Sequence, residues 1–175
     1  LNNRKRLVRH LFDEEYYLAH NPDIAQAGID PLEHYLNFGE KEERWPQASF
    51  DPAFYVARYA DTLTGLGALE HFALHGKELG NVTLDDEFDF EWYKQVYLSP
   101  SACAADCRHH YHRENRFNLL RKRGDAALIA LRQLFRPDEY IDLYPDIKDL
   151  DPWIHFVGAG YLEGRKLLSL IHISE

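Results

Sequence analysis

The sequence predicts an all-α chain: an array of about four helix-pair repeats, one of them degenerate and carrying a helical insertion. Three observations predict it. A Phe-Asp pair followed by Tyr recurs along the chain, and each recurrence leads to a His-aromatic pair with Gly or Asn five residues after the His. Between these marks the apolar residues fall at i, i+3, i+4 spacing, which writes a core-facing helical stripe.

The first helix of each repeat opens at Phe12-Asp13, Phe50-Asp51, Phe88-Asp89 and Phe135, the last with Arg136 in place of Asp. The Phe residues are spaced 38, 38 and 47 apart, and Tyr17, Tyr55, Tyr93 and Tyr140 each follow five residues later. Asp13, Asp51 and Asp89 suit the N-cap, where a side-chain oxygen accepts from unpaired helix amides. Glu14 and Glu15 then place negative charge in the first turn, where the helix dipole favours it. Asn21-Pro22-Asp23, Tyr59-Ala60-Asp61 and Tyr144-Pro145-Asp146 mark the turn, with Pro22 and Pro145 stopping the helix. In the third copy Leu98-Ser99-Pro100 replaces this turn.

The second helix opens at Asp30-Pro31-Leu32-Glu33, which reads as a capping box with proline at the first helical position. Asp151-Pro152 repeats that start. The His-aromatic pairs are His34-Tyr35, His71-Phe72, His110-Tyr111 and His155-Phe156. Leu32, Tyr35 and Leu36 share one face, as do Leu69, Phe72 and Ala73, and Trp153, Phe156 and Val157. Gly39, Gly76, Asn115 and Gly160 stand where a left-handed C-terminal cap is expected. Glu42-Glu43-Arg44 and Glu163-Gly164-Arg165 close two of the copies.

These marks divide the chain into a lead-in helix or linker over 1–11 and repeats over 12–49, 50–87, 88–134 and 135–167. The third repeat holds the insertion, where Ala126, Ala127, Ile129, Ala130, Leu131 and Leu134 read as an additional helix. The run 168–175 can be back-translated into a transposase adapter used to prepare sequencing libraries, and is expected to be a scar from unassembled DNA. The chain starts with Leu and holds no Met, so a true N-terminus is expected upstream.

Composition narrows the function classes. Aromatics make up 14% of the residues, which a disordered chain lacks, so a buried core is expected. The net charge of −9 repels phosphate backbones, so no nucleic-acid partner is expected; Arg4-Lys5-Arg6 and Arg121-Lys122-Arg123 read as solvated faces. No apolar run approaches the ~20 residues that span a bilayer, so no membrane insertion is expected. Nor does the basic start lead into an apolar signal-peptide segment.

Candidate chemistry is sparse. Cys103, Cys107, His110 and His112 are weak metal candidates: Cys and neutral His suit zinc, and i, i+4 spacing shares a helix face. His109 is close by, but no second Cys pair exists to complete a tetrahedral site. On a helix the two cysteines stand about 5–6 Å apart at Cβ, beyond the ~3.8 Å of a disulfide, and read as a small core-facing pair. The repeat histidines belong to separate units, so their expected job is a hydrogen bond within or across a helix pair. Asp149-Leu150-Asp151 has the Asp-x-Asp form used to hold a metal and a sugar nucleotide, but it precedes Pro152 and reads as a helix cap. Asp85-Asp86-Glu87 lacks the spaced oxygens and glycine of an EF-hand. No catalytic residue and no cofactor are expected in this chain.

The stretch Phe12 to Arg44 resembles a bacterial repeat of the form Phe-Asp-x-x-Tyr-Tyr-Leu, Asn-Pro-Asp, Asp-Pro-Leu-x-His-Tyr and Glu-Gly-Arg, and Phe135 to Arg165 resembles it nearly as closely. The middle copies match in part. The resemblance implies a non-catalytic scaffold or interaction module accessory to a glycosyltransferase of surface-polysaccharide synthesis. Its partners would be other domains of the parent chain, other proteins or a glycan met by exposed aromatics, in a cytoplasmic or membrane-peripheral setting. Two alternatives stay open. One is a structural or adhesive module of a secreted protein of the calcium-binding type; the other is a metal-dependent enzyme.

Overall fold

The computed structural model describes residues 1–167, the side chain of Arg116 excepted; the adapter-like run 168–175 lies outside them. Among the described residues the secondary structure is entirely helical, and the chain divides into two compact units, Leu1–Asp86 and a second beginning at Glu87.

The first unit opens with α1 (Asn2–Val8), a 3-10 turn, α2 (Glu14–His20), α3 (Pro22–Ala27) and α4 (Pro31–His34). α4 widens without a break into a π-helical turn, Tyr35–Gly39. α5 (Pro52–Tyr59) and α6 (Ala68–His71) follow, and α6 runs into a second π-turn, Phe72–Gly76. The second unit holds α7 (Phe90–Tyr97), α8 (Ala104–Glu114), α9 (Ala127–Leu134), α10 (Pro137–Leu143) and α11 (Pro152–His155), which enters a third π-turn, Phe156–Gly160. α9 is the helix expected in the insertion.

The capping residues act as their chemistry predicts. Carboxylates of Asp13, Asp51 and Asp89 accept from the amides of Tyr16, Phe54 and Trp92 at 2.9, 3.0 and 2.9 Å. Asp30 and Asp151 accept from Glu33 and Ile154 amides, both at 2.8 Å. Arg136 offers α10 no such side-chain bond, and Pro137 opens that helix by its fixed backbone angle. The Glu33 carboxylate, expected to return to the Asp30 amide, binds the Lys5 ammonium of α1 at 2.7 Å instead.

Each unit has its own aromatic core. Val8, Tyr17, Ile24, Leu32, Tyr35, Phe50, Tyr55 and Leu69 pack in the first. Trp92, Tyr93, Val96, Leu128, Phe135, Tyr140, Trp153 and Phe156 pack in the second. Most of the rings meet tilted or edge-on, as Tyr17–Tyr35 at 87° and Tyr55–Phe72 at 89°, while Phe88 and Phe90 stack at 13°.

Two expectations need correction. The segment from Phe12 is not a simple helix pair: Pro22 ends α2 and at once opens α3, since a proline that cannot continue one helix is well placed at the first position of the next. The second correction concerns the caps. Gly39, Gly76, Gly160 and Asn115 are not left-handed; among residues near them, the positive φ angles belong to Glu43 (57°), Gly80 (68°), Gly164 (70°) and Asn118 (56°). The left-handed cap thus falls four residues beyond each of the three glycines. There the Arg44, Asn81 and Arg165 amides reach back to the Gly39, Gly76 and Gly160 carbonyls at 2.9, 2.8 and 2.8 Å, the long bond of a Schellman cap. The physical reason for the glycines is different: a tyrosine hydroxyl fills the place where a β-carbon would stand.

Glu43 therefore occupies a conformation that glycine holds at the matching turns. A β-carbon in the left-handed region carries steric strain of about 1 kcal/mol, partly offset by the extra freedom glycine brings to the unfolded chain. Glu43→Gly is expected to stabilise the protein by about 0.5–1 kcal/mol, read as a higher urea midpoint with an unchanged denaturant slope.

Candidate functional site

The recurring polar constellation of this chain is a tyrosine hydroxyl set against a histidine ring. Tyr17 meets His34 Nδ1 at 2.9 Å, Tyr55 meets His71 at 2.8 Å, Tyr93 meets His110 at 2.8 Å and Tyr140 meets His155 at 3.1 Å. One helix contributes the tyrosine, capped by the preceding Asp or opened by Pro137; the histidine comes from the next helix, α6, α8 or α11, except in the first repeat, where α3 intervenes and α4 supplies His34. The expected hydrogen bond of each repeat histidine is present, and its partner is the repeat tyrosine in all four places.

The glycines now find their reason. A β-carbon at Gly39, Gly76 or Gly160 would run into the hydroxyl of Tyr17, Tyr55 or Tyr140. Each of these glycines leaves room for the hydroxyl to sit between a helix backbone and a histidine ring, at the last residue of a π-turn. Where Asn115 stands instead, α8 stays regular through Glu114, a 3-10 turn follows, and the Asn115 side-chain Oδ1 accepts from the Leu120 amide at 2.9 Å.

The closing segments complete the frame. Asp13, Asp51 and Asp89 donate their amides to the carbonyls of Pro46, Thr83 and Lys122 at 3.0, 2.8 and 2.9 Å, so a later stretch of chain returns to each N-cap. Hydroxyls of Tyr59 and Tyr144 accept from the Val82 and Lys166 amides at 2.9 and 2.8 Å. Arg44 grips Asp23 through two bonds of 2.9 and 2.8 Å, and Arg165 grips Asp146 at 3.2 and 3.0 Å. These bonds hold the Asp23 and Asp146 carboxyls below the ordinary range. Asn81 takes the place of the arginine in the second closing segment and donates to the Tyr55 hydroxyl at 3.0 Å. Burial pushes the Tyr140 hydroxyl up to about 12, so it stays a neutral donor.

The metal candidates do not converge. His110 Nδ1 is occupied by Tyr93. Cys107 is buried, its thiol directed at the Phe90 carbonyl, and burial pushes it up to about 12, far from a thiolate ligand. Cys103 sits at the N-cap of α8, where its amide donates to Asp106 at 2.9 Å. Among the described residues no three His, Cys, Asp or Glu side chains are placed to share a metal ion. Asp151 caps α11, and Asp86 pairs with Arg58 at 3.1 Å.

Two features escaped the sequence reading. Arg4, in a basic cluster expected to be solvated, forms a two-pronged bond to the buried Glu70 at 2.8 and 2.7 Å. Glu40 reaches across to α6 and accepts from the Ala68 and Leu69 amides at 2.9 and 3.4 Å. It caps a helix whose own cap position, Gly67, has no side chain. The signal was present: Asp30 and Asp151 hold that position elsewhere, so Gly67 announced a missing cap.

A cleft of about 390 Å³ opens beside these groups, lined in part by Asn37, Phe38, Glu40, Lys41 and Gly67. Phe38 is 58% exposed, and with Phe117 it is the most exposed aromatic, most of the others being spent on the cores. Among the described residues no helix is long and apolar enough to cross a membrane. No protein-family model, curated protein or solved structure matches this chain.

Proposed function

We propose that the chain is a non-catalytic scaffold or interaction module, an array of about four helix-pair repeats with one degenerate copy, accessory to a glycosyltransferase of surface-polysaccharide synthesis. The observation that carries the first part is that its recurrent polar residues bond one another. Each repeat tyrosine bonds a repeat histidine, and each closing arginine bonds a turn aspartate. Groups that could do acid–base work are thereby committed to holding helices together, as in repeat folds whose units stabilise one another. The association with a glycosyltransferase rests on the resemblance of Phe12–Arg44 and Phe135–Arg165 to the bacterial repeat. Phe38, exposed beside an open polar cleft, is the candidate glycan contact.

Sequencing the genomic DNA on both sides tests the association. The expected result is a reading frame shared with a nucleotide-binding α/β domain. A frame shared with glycine-aspartate calcium-binding repeats would replace it with a structural or adhesive role. Elemental analysis of the purified protein tests the first part: stoichiometric zinc would overturn the non-catalytic reading.

A further inference from the structure

We propose that the Tyr55–His71 and Tyr140–His155 pairs are acid-released latches, one in each unit, which tie the tyrosine helix to the histidine helix at neutral pH and loosen as the medium turns mildly acidic. Both histidines are buried, His71 at 1% and His155 at 6% exposure. In the tautomer that carries its hydrogen on Nε2, each neutral ring offers Nδ1 as an acceptor for a tyrosine hydroxyl, at 2.8 and 3.1 Å. A protonated ring has no acceptor left, since both its nitrogens carry hydrogen. The tyrosine must then turn its own hydrogen elsewhere. The hydroxyls lie against Gly76 and Gly160, and at Tyr55 the Asn81 amide already donates to the oxygen. A buried hydroxyl deprived of its acceptor is destabilising, so adding a proton to the ring works against the tyrosine–histidine bond.

The surroundings give the added charge little compensation. Around His71 stand Tyr55 of α5, the Thr62 backbone, His75 in the π-turn and Asn81 in the closing segment, while the neighbouring Glu70 is engaged by Arg4 of α1. Burial lowers the His71 pKa below 6.5 and His75 adds to this, with the bond to the Thr62 backbone opposing. Around His155 stand Tyr140 of α10, Asp146 of the following turn, and Glu163 and Arg165 of the closing segment. Burial and then Arg165 lower its pKa; Glu163 and Asp146 oppose, but both carboxylates are bound by that same arginine.

The sign follows from linkage. Above about pH 6.5 these histidines are neutral both folded and unfolded, and the latches contribute fully. As pH falls through 6.5 the unfolded chain takes up protons that the folded chain refuses, so stability is lost until the lower folded values are passed. Two such sites raise the unfolding constant by up to about a hundredfold per pH unit.

The experiment is a pair of titrations on the full chain. Imidazole resonances followed by NMR give the folded pKa values directly; urea unfolding at pH 7.5, 6.5 and 5.5 gives the proton uptake. For the wild type, His71 and His155 are expected to titrate below 6.5, and the unfolding constant to steepen with acid. His71→Asn and His155→Asn, each keeping an acceptor for the hydroxyl, are expected each to remove up to about tenfold per pH unit from that slope. Slopes unchanged in both variants, or folded titrations at or above the ordinary value, would overturn the proposal. Where a variant does not fold, the wild-type resonances decide alone.

Discussion

Gly160→Ala is expected to destabilise the second unit by about 3 kcal/mol, and Tyr140→Phe to restore part of the loss when the two are combined. The new β-carbon would collide with the Tyr140 hydroxyl, which is wedged between Gly160 and His155. Overpacking of a tight site costs about 1–3 kcal/mol, and a buried polar pair forced apart adds about 1–3 kcal/mol. Tyr140→Phe alone removes the hydroxyl that His155 Nδ1 meets, at a loss of about 1–2 kcal/mol. In the double variant the clash has no hydroxyl to act on, while the Tyr140 ring carbon beneath it lies at an ordinary 3.4 Å from the added β-carbon. The two changes should therefore sum to less than their separate effects by at least about 1 kcal/mol. Urea unfolding of the four proteins measures this. Strict additivity would mean that Gly160 serves some need other than room for the hydroxyl.

That test turns on what could be read from the sequence and what could not. The aspartate caps at 13, 30, 51, 89 and 151 were legible because capping is a local matter, settled within three residues of the carboxylate. The tyrosine–histidine pairing was half legible: the recurrence showed that each histidine had a job, and the 15 to 17 residues between partners hid who shared it. Glycine is ambiguous in principle, because it answers both a positive φ and a missing β-carbon. At Gly39, Gly76 and Gly160 the second need applies, and the first is met four residues later. The pairs Gly76 with Gly80 and Gly160 with Gly164 carried that distinction, since one helix end needs only one left-handed residue. Each π-turn ends on one of Gly39, Gly76 and Gly160, and none forms where Asn115 stands. The bonds Arg4–Glu70 and Glu40–Ala68 span 66 and 28 residues, and no pattern of local spacing reaches that far.

Trp153→Ala is expected to carry the largest penalty of any single change considered, about 4 kcal/mol. The side chain is 4% exposed, at the point where α11 meets α7. Its ring lies edge-on to Phe135 at 4.9 Å, and Arg132 of α9 stacks over it at 5.0 Å. Its indole nitrogen donates to the Val96 carbonyl at 2.9 Å. Truncation removes apolar contacts and leaves a cavity, which for a buried tryptophan costs about 3–5 kcal/mol. It also leaves the Val96 carbonyl without that donor. Trp153→Phe separates the two effects. It keeps most of the ring while losing the nitrogen, so it is expected to cost about 2 kcal/mol, between wild type and alanine. In the first unit Leu32 takes the corresponding place after Asp30-Pro31, with 3% exposure, so an aliphatic residue can fill it where no indole bond is needed. Trp153→Leu distinguishes packing from bonding for that reason. If it proved as stable as wild type in urea, the hydrogen bond to α7 would contribute nothing net, and the core around Phe135 and Phe156 would be held by apolar contact alone.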